Sequence, residues 1–372
     1  MVRTSETDRI RVLVLFGGRS SEHEVSCLSA RGVLWAIDTA VYDVVAVGIT
    51  KDGRWTLMPR GVPQTREGTL PAVPDDGALV TLATTTQGSV LLELGPQGPV
   101  DHGRIDVCFP VLHGPYGEDG TIQGYLATAG VPYVGADVAS SAIAVDKRQM
   151  KHVFAAAGLP QVEHEVVMRP DWDVDRVAEL DRLEGCLPYP LFTKPARQGS
   201  SIGITRVANR AQLETGIDEA LGYDRVVIVE RGLDHVRELE CGVIGNDTIR
   251  VTPPGETIHT GAQFYDFDAK YLEPVQLQCP AAVPEAVASA CQEYAVAAYR
   301  AIGARGMARI DFFLDTVTDT LLVNEINTIP GLTPQSMFPP VWEATGLAFK
   351  DLIGTLLDLA MEASRLDSRF SP

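Results

Sequence analysis

Apolar and polar positions divide the first part of the chain into short buried strands separated by helices. Residues 11–16 and 105–112 form continuous apolar runs of the kind found in buried strands, and residues 25–37 have helical periodicity. Residues 42–50 form a further strand, so the chain opens as a β-loop-α-β unit. The pattern predicts a small parallel α/β sheet over residues 1–135, with ligand-binding loops at the carboxyl ends of its strands.

The pattern changes after residue 147 to a compact α+β arrangement. Helices are predicted at residues 147–157, 174–183, 212–221, 284–302 and 349–365, and strands at 161–168, 190–195, 204–207 and 225–231. Residues 59–100, rich in Pro, Gly and Thr, are typical of a peripheral insertion, with short strands at 78–84 and 89–94. We expect three units, which cover residues 1–135, 136–232 and 233–372.

Near the C-terminus, two apolar runs carry acidic residues. Residues 307–314 and 320–326 are β-rich and separated by a polar stretch, which predicts a hairpin. Asp311 interrupts the first strand and Glu325 the second, and a hairpin pairs residues roughly equidistant from its turn. Asn327 follows Glu325 by two residues and therefore points to the same face.

A cluster of three oxygen ligands suits a hard cation that keeps positions open for water and phosphate, as Mg²⁺ usually does. The set contains no Cys and no His, which disfavours zinc. The alternative is that these acids are surface charges of a hairpin. Their position inside apolar runs beside Arg309 favours a magnesium site built for a polyphosphate.

A lysine followed by a Gly-Ser loop lies in the middle of the chain. Lys194 ends a predicted strand, and Gly199 and Gly203 allow backbone N–H groups to approach phosphate oxygens closely. The spacing is not that of a Walker loop. Taken alone the signal is weak, because Gly-Ser loops are also ordinary hairpin material.

Two loops follow predicted strands of the parallel sheet. His113 ends the strand at residues 105–112, and Asp119 is predicted to cap the helix at 119–129; a packed structural histidine is the alternative. The loop after the first strand carries Glu22, whose negative charge would repel a pyrophosphate. A ligand with an ammonium group suits this position better.

Further candidate site residues lie between the Gly-Ser loop and the predicted C-terminal hairpin. Glu230 and Glu238 stand on predicted strands, where they could accept hydrogen bonds from a ribose or an amino group, although each taken singly fits an ordinary surface acid. Residues 259–273 form a long aromatic and charged loop of the kind that often serves as a lid. Lys270 in this loop could reach a γ-phosphate. The alternative is that the loop only packs against the rest of the protein and binds no ligand.

Composition limits the class of protein. A chain of 372 residues is too long for one ordinary hydrophobic core, so more than one domain is expected. A hydrophobic content of 45% indicates a folded globular protein. The net charge of −18 disfavours nucleic acid as a partner, but a local basic cleft could hold one nucleotide. Six scattered cysteines fit a reduced compartment, and no apolar run approaches about 18 residues. We expect a soluble cytoplasmic protein that does not enter membranes.

Four segments together carry a resemblance to a known family. HGPYGEDGTIQG, KPARQGSSIG, DAKY and RIDFF with NEINTIPG resemble the signatures of D-alanine–D-alanine ligases, in the ATP-grasp superfamily. The resemblance runs from Val12 to about Asp358. It implies an N-terminal Rossmann-like domain followed by a two-part ATP-grasp fold, with ATP between two antiparallel sheets.

The resemblance also implies a role for each matching residue. It gives catalytic and substrate-binding roles to Glu22, Ser200, Tyr271, Arg309, Ser336, His113 and the Gly331 amide. It places the nucleotide against Lys147, Lys194, Glu230, Glu238 and Lys270. It places two Mg²⁺, or Mn²⁺, on Asp311, Glu325 and Asn327. The segment ERGLDHVRE, which contains Glu230 and Glu238, is one residue longer than the family pattern.

The implied reaction joins two D-alanines through an acylphosphate, with release of ADP and phosphate, for peptidoglycan synthesis by a homodimer. Within the superfamily, the alternative is a ligase that joins D-alanine to D-lactate; Tyr271 in DAKY favours the dipeptide enzyme. From another class, the alternative is a non-catalytic nucleotide or amino-acid sensor, against which the intact lysines and metal ligands argue.

Overall fold

The computed structural model describes residues 9–64, 69–258, 276–333 and 335–369. The strands are β1 (Ile10–Gly17), β2 (Tyr42–Ile49), β3 (Trp55–Leu57), β4 (Val80–Thr85), β5 (Gly88–Gly95), β6 (Gly98–Arg104), β7 (Val107–Val111), β8 (His164–Met168), β9 (Leu191–Pro195), β10 (Thr205–Val207), β11 (Val226–Arg231), β12 (Val236–Gly245), β13 (Ile249–Val251), β14 (Gly255–Ile258), β15 (Gln276–Gln278), β16 (Gly306–Asp315) and β17 (Thr320–Asn327). The helices are α1 (His23–Ala36), α2 (Thr121–Thr128), α3 (Val138–Val145), α4 (Lys147–Ala156), α5 (Arg169–Val174), α6 (Arg176–Cys186), α7 (Arg210–Leu221), α8 (Glu285–Ala301), α9 (Phe338–Glu343) and α10 (Phe349–Asp367). Within these ranges, none of the helices combines the length and the apolar character that crossing a bilayer requires.

The first sheet has the strand order β3-β2-β1-β7, and β1 is parallel to both β2 and β7. The predicted parallel α/β sheet is confirmed for these three strands, whereas β3 pairs with β2 in the antiparallel direction. β1 and β7 are apolar along nearly their whole length, as is typical of parallel strands covered on both faces. A side sheet, β4-β5-β6, confirms the two strands predicted in the insertion. Its third strand, β6, escaped prediction because most of its residues are polar or glycine and are exposed.

Three predictions at the ends of helices and strands were wrong in detail. Asp119 does not occupy the N-cap of α2; Gly120 does, with a φ of +89°, while the Asp119 carboxylate accepts from the Thr121 amide at 3.0 Å. The helix predicted over residues 174–183 is divided, because Asp175 caps α6 by accepting from the Ala178 amide. The strand predicted from residue 161 begins only at His164.

The second sheet, β10-β9-β11-β8, is antiparallel. Its strands present alternate residues to opposite faces, so Val227 and Val229 pack against α5, α6 and α7 in a core that contains only residues from 167 to 229. The other face carries Lys194 and Glu230 beside a small apolar cluster. We refer to this sheet and its three helices as the central unit.

The third sheet runs β15-β14-β12-β16-β17, with β13 also paired to β12. The predicted hairpin is confirmed as β16 and β17, in which Asp311 pairs with Glu325 and Arg309 with Asn327. A register shift directly after Asp311 marks a bulge, a feature that re-aims side chains at the end of regular pairing.

One core ties the first and third sheets together, and a second lies on the other face of the third sheet. One unites β1, α1 and β7 with α9 and α10, although these elements lie at opposite ends of the chain. The other packs α4 and α8 on the opposite face of the third sheet. We refer to the first and third sheets with α1, α3, α4, α8, α9 and α10 as the platform. The molecule thus consists of a platform joined through buried apolar contacts and a central unit with a core of its own.

Candidate active site

The first group of site residues forms where the central unit meets the first sheet. Glu22 directly precedes α1 and is 7% exposed, and the Ser200 hydroxyl donates to its carboxylate across 178 residues of sequence. Ser200 and Ser201 both adopt left-handed backbone conformations, with φ of 49° and 58°. This loop therefore holds a conformation that L residues seldom adopt, in a place where it reaches Glu22.

His113 lies beside this contact at the carboxyl end of β7. Its Nε2 is 3.0 Å from the Ser29 hydroxyl, which also accepts from the Leu332 amide at 3.3 Å. Burial disfavours the imidazolium, but the adjacent carboxylate of Glu118, with a smaller contribution from Glu22, raises the pKa of His113 overall. The ring is thus held between the first sheet and the loop that follows β17.

Gly114 shows how closely these loops approach one another. Its φ is +72°, and a Cβ at this position would lie 2.6 Å from the Ser20 hydroxyl and 2.7 Å from Glu22 Oε2. Only glycine leaves room for the Glu22 carboxylate here. A cavity of about 520 Å³ opens next to His113 at the carboxyl ends of the parallel strands, the position at which open α/β sheets bind ligands.

The second group is a cluster of cations around Glu230. This residue is 3% exposed, and its carboxylate forms ion pairs with Lys194 and, at 2.7 Å, with Lys151 Nζ. Burial alone would raise the pKa of Glu230, but the two ammonium groups outweigh it and lower this pKa well below its ordinary range. Lys147 donates to the Gln198 carbonyl at 2.8 Å and lies 3.7 Å from Glu325 Oε2.

Lys151 was missed by the sequence analysis, although it is only 1% exposed. A lysine on an amphipathic helix is ordinarily solvated, so its burial depends on Glu230, which is distant in sequence. The one available signal was its position, one helical turn after Lys147 and next to the buried Met150.

The third group surrounds Arg309 on the third sheet. Arg309 binds the Asp311 carboxylate through Nε and Nη2, both at 2.7 Å, and its Nε is also 2.7 Å from Glu240 Oε2. Burial disfavours the guanidinium charge, but Asp311 and Glu240 outweigh it and raise the pKa of Arg309. Glu240 was likewise missed by the sequence analysis.

Asp311 is the residue most affected by this crowding. Burial, together with the Glu240 and Glu325 carboxylates, raises its pKa to about 7, against the opposing effect of Arg309. Three carboxylates thus lie beside Arg309 and Lys147, of which that of Glu325 is 36% exposed. When all three are ionised, their negative charge exceeds the charge of the two cations by one, a condition that a bound cation would relieve.

The donors at this position are oxygen atoms, as Mg²⁺ prefers. The Asn327 amide oxygen accepts from the Ile329 amide at 3.1 Å and lies on the strand next to Arg309. Over the described ranges, no three Asp, Glu, His or Cys side chains surround one ion position. An ion held by Asp311, Glu325 and Asn327 would thus take its remaining ligands from water or substrate, which the residues present allow.

The other predicted site residues divide into two sets. Ser336 is 2.8 Å from the Thr333 hydroxyl, and a Cβ on Gly331 would lie 2.4 Å from Ser336 Oγ, so these two positions adjoin. Glu238 pairs in register with Thr257 and Phe313 on the third sheet, two residues before Glu240. Lys270, Tyr271 and the predicted lid at residues 259–273 lie outside the described residues.

Comparison with known proteins places the chain in a family. Sequence models of the D-ala D-ala ligase N-terminus and C-terminus match residues 11–136 and 153–358. The D-alanine–D-alanine ligase of Paenarthrobacter aurescens is 45% identical over 96% of this chain and 97% of its own, and that of Enterococcus faecalis is 43% identical over 95% and 99%.

Solved structures agree with this assignment. The D-alanine-D-alanine ligase of Coxiella burnetii superposes with a TM-score of 0.84 at 31% identity, over 98% of this chain and 97% of its own. The VanG D-Ala:D-Ser ligase of Enterococcus faecalis superposes with a TM-score of 0.79 at 32% identity, over 95% and 99%. The chain belongs to the D-alanine–D-alanine ligase family.

Proposed function

We propose that this protein joins two molecules of D-alanine into D-alanyl-D-alanine, with conversion of ATP to ADP and phosphate. The observation that carries the proposal is the meeting of three groups of charged residues between the central unit and the platform. One group is acidic and suits an ammonium, one is rich in lysine and suits phosphates, and one combines an arginine with oxygen ligands. Relatives of 42–45% identity over nearly the whole chain bear this enzyme's name.

The nucleotide would lie between the second and third sheets, as in an ATP-grasp fold preceded by a Rossmann-like domain. Lys194 and Glu230 line the cleft from the central unit, and Lys147 contacts both Gln198 on that side and Glu325 on the platform. The division into units at residues 1–135, 136–232 and 233–372 stays a prediction, and α3 and α4, which fall in the second of these, pack on the third sheet. The ammonium groups would neutralise the phosphates.

The first D-alanine would bind between Glu22 and His113. Its ammonium group would pair with the Glu22 carboxylate, which Ser200 orients. The His113 imidazole, whose pKa Glu118 raises, would contact the carboxylate of the same molecule. The burial of both side chains excludes water from this end of the site.

Asp311, Glu325 and Asn327 would hold the divalent cations. When bound, Mg²⁺ or Mn²⁺ would neutralise the negative charge that spreads over the transferred phosphoryl group. The carboxylate of the first D-alanine would then carry the phosphoryl group as an acylphosphate. Arg309 and the Gly331 amide would stabilise the oxyanion that forms when the second amine attacks, and Ser336 would bind the second D-alanine.

The second substrate is D-alanine in this proposal. The support for this choice is that the curated relatives of 42–45% identity are D-alanine–D-alanine ligases. The product would supply peptidoglycan synthesis. The expected homodimer, the cytoplasmic location and the lid stay predictions.

A coupled assay of ADP release tests this function. The protein is given ATP and Mg²⁺ with D-alanine alone, L-alanine alone, or D-alanine together with D-lactate or D-serine, and the products are separated by mass. We expect ADP release with D-alanine, none with L-alanine, and the dipeptide as main product in the mixtures. A preference for the D-lactate or D-serine product near neutral pH would refute the choice of second substrate, and ATP binding without ADP release would indicate a sensor.

A further inference from the structure

Arg309 has two carboxylate partners, and only one of them uses its Nε hydrogen. The Nε atom lies 2.7 Å from Asp311 Oδ1 and 2.7 Å from Glu240 Oε2. Its single N–H is directed at Asp311, and Nη2 donates to the same carboxylate. Across the ranges that the structure describes, the buried Oε2 of Glu240 accepts no hydrogen bond. A buried carboxylate oxygen without a donor is unusual.

Glu240 is held firmly where it stands. It lies on β12, directly opposite Asp311 on β16 and Gly255 on β14, so strands flank it on both sides. The Thr257 hydroxyl donates to its other oxygen, Oε1, at 2.8 Å. Oε2 is thereby kept beside Arg309 by a rigid support, in a region where only 13% of the Glu240 side chain is exposed.

The bidentate pairing of Arg309 with Asp311 conflicts with the role proposed for Asp311. A guanidinium that occupies both oxygens of a carboxylate competes with any cation for that carboxylate. If the pairing weakens when a cation binds, a buried guanidinium with no second partner would be left free to move. Glu240 Oε2 offers that second partner at the same distance from Nε, and a small rotation of the guanidinium plane is sufficient to reach it.

We propose that Glu240 is a positioning residue that holds Arg309 in place while Asp311 serves as a metal ligand. The inference rests on the proposed function, from which the roles of Arg309 and Asp311 come. In this account Arg309 has two partners: Asp311 in the protein alone, and Glu240 once a cation occupies the site. The guanidinium remains available to the reacting carboxyl group in both states.

The unaltered protein gives the direct test. A crystal structure with Mn²⁺ and ADP should show the Arg309 Nε–H directed at Glu240 Oε2, with at least one of its bonds to Asp311 broken. Arg309 still bidentate on Asp311, with Mn²⁺ present, would refute the inference. That outcome leaves the proposed function standing, whereas failure of the unaltered protein to make the dipeptide refutes the proposed function itself.

Two variants test the consequence for turnover. Glu240→Gln keeps the shape of the side chain but removes its charge, and we expect kcat to fall about 10- to 100-fold while the KM for ATP stays within about twofold. Thr257→Val retains every charge and removes only the support of Oε1, so it should lower kcat in the same way by a few-fold.

A structural role would give a different result. If Glu240 had only a structural role, its replacement would lower the melting temperature. The molecules that still bind ADP would then show the wild-type kcat per site. Rates are therefore normalised to the stoichiometry of ADP binding, measured by calorimetry. A normalised kcat within about twofold of wild type for Glu240→Gln would overturn the proposal. If Glu240→Gln does not fold, an unchanged kcat for Thr257→Val would overturn the proposal instead.

Discussion

The platform and the central unit differ in what joins them to the rest of the molecule. The platform unites the two ends of the chain through a shared apolar core, in which α1 packs with α10. The central unit has a core confined to its own residues, and its contacts with the platform include the Lys151–Glu230 ion pair and the hydrogen bond from Ser200 to Glu22. Apolar contact sets a fixed geometry, and polar contact between the two regions can be exchanged for contact with substrate.

This difference assigns separate tasks to the two regions. The platform carries His113, Arg309 and Asp311, whose backbone positions have to stay fixed in the proposed reaction, while the Arg309 guanidinium exchanges one carboxylate partner for another. The central unit carries Lys194 and the Gly-Ser loop, which in the proposed function have to admit and release a nucleotide. Variants in the platform, in the central unit and in the contact between them should therefore differ in their effects on activity and stability.

The largest effect is expected on the platform. Asp311→Asn removes the charge of a proposed metal ligand without changing its size, so kcat should fall about 10³-fold while the fold is retained. ADP release in the presence of D-alanine and Mg²⁺ measures the loss. Asp319→Asn, an exposed change in the turn of the same hairpin, is the matched control and should behave as wild type. Near-normal ADP release by Asp311→Asn would remove the metal assignment.

The next effect concerns the contact between the regions. Ser200→Ala deletes the hydroxyl that donates to Glu22, and kcat/KM for D-alanine should fall about 10- to 100-fold because the carboxylate loses its orientation. The KM for ATP should change little. Ser201→Ala, the neighbouring residue with a similar backbone conformation, serves as control. Equal effects of the two variants would mean that loop stiffness, and not the Glu22 contact, matters.

A smaller effect on activity, with a measurable effect on stability, is expected at Lys151. Lys151→Met leaves the buried Glu230 with Lys194 alone and should lower the free energy of unfolding by about 3 kcal/mol. The KM for ATP should rise several-fold, since Glu230 loses one of its two supports. Urea denaturation and steady-state kinetics measure the two changes, and Lys51→Met, at an exposed ion pair, is the control. Wild-type values for both would show that Lys151 does not support Glu230.

The ion pair of Lys151 with Glu230 also predicts how the free energy of unfolding depends on pH. The pKa of Glu230 is lowered in the folded protein, so its stabilisation is complete above its ordinary pKa of 4.5 and is lost as the pH falls through the folded value. The unfolding free energy of the wild-type protein should therefore fall more steeply in acid than that of Lys151→Met. Parallel curves below pH 4.5 would contradict this.

The smallest effect on turnover is expected from the two cores. Leu213→Ala in the central unit and Leu356→Ala in the platform each delete a fully buried side chain and should cost about 3 kcal/mol. Hydrogen exchange should quicken mainly within residues 164–231 for Leu213→Ala, and in both α1 and α10 for Leu356→Ala. Uniform loss of protection in both variants would show that the two regions do not open separately.

The sequence predicted those features that depend on neighbours along the chain. The hairpin of β16 and β17 followed from two apolar runs and a polar turn, and with it the pairing of Asp311 with Glu325. The parallel sheet followed from the buried runs and the helix between them. The loops that carry Glu22 and His113 were located because they follow those strands.

What the sequence did not predict depends on contacts between distant segments. Glu240 could not be placed beside Arg309 until β12 was known to pair with β16. Lys151 resembles a solvated helix residue until Glu230 is seen next to it. The packing of α1 against α10 joins the two ends of the chain, and periodicity within either helix carries no information about its partner.

We expect the active site to exist only where the platform and the central unit meet. A double-mutant cycle on Glu22→Gln and Ser200→Ala is the decisive test, with kcat/KM for D-alanine as the measured quantity. The double variant should be less impaired than the sum of the single effects, by a coupling energy of about 1 kcal/mol or more. Effects that add within about 0.3 kcal/mol would show that the two residues act independently, and would contradict this expectation.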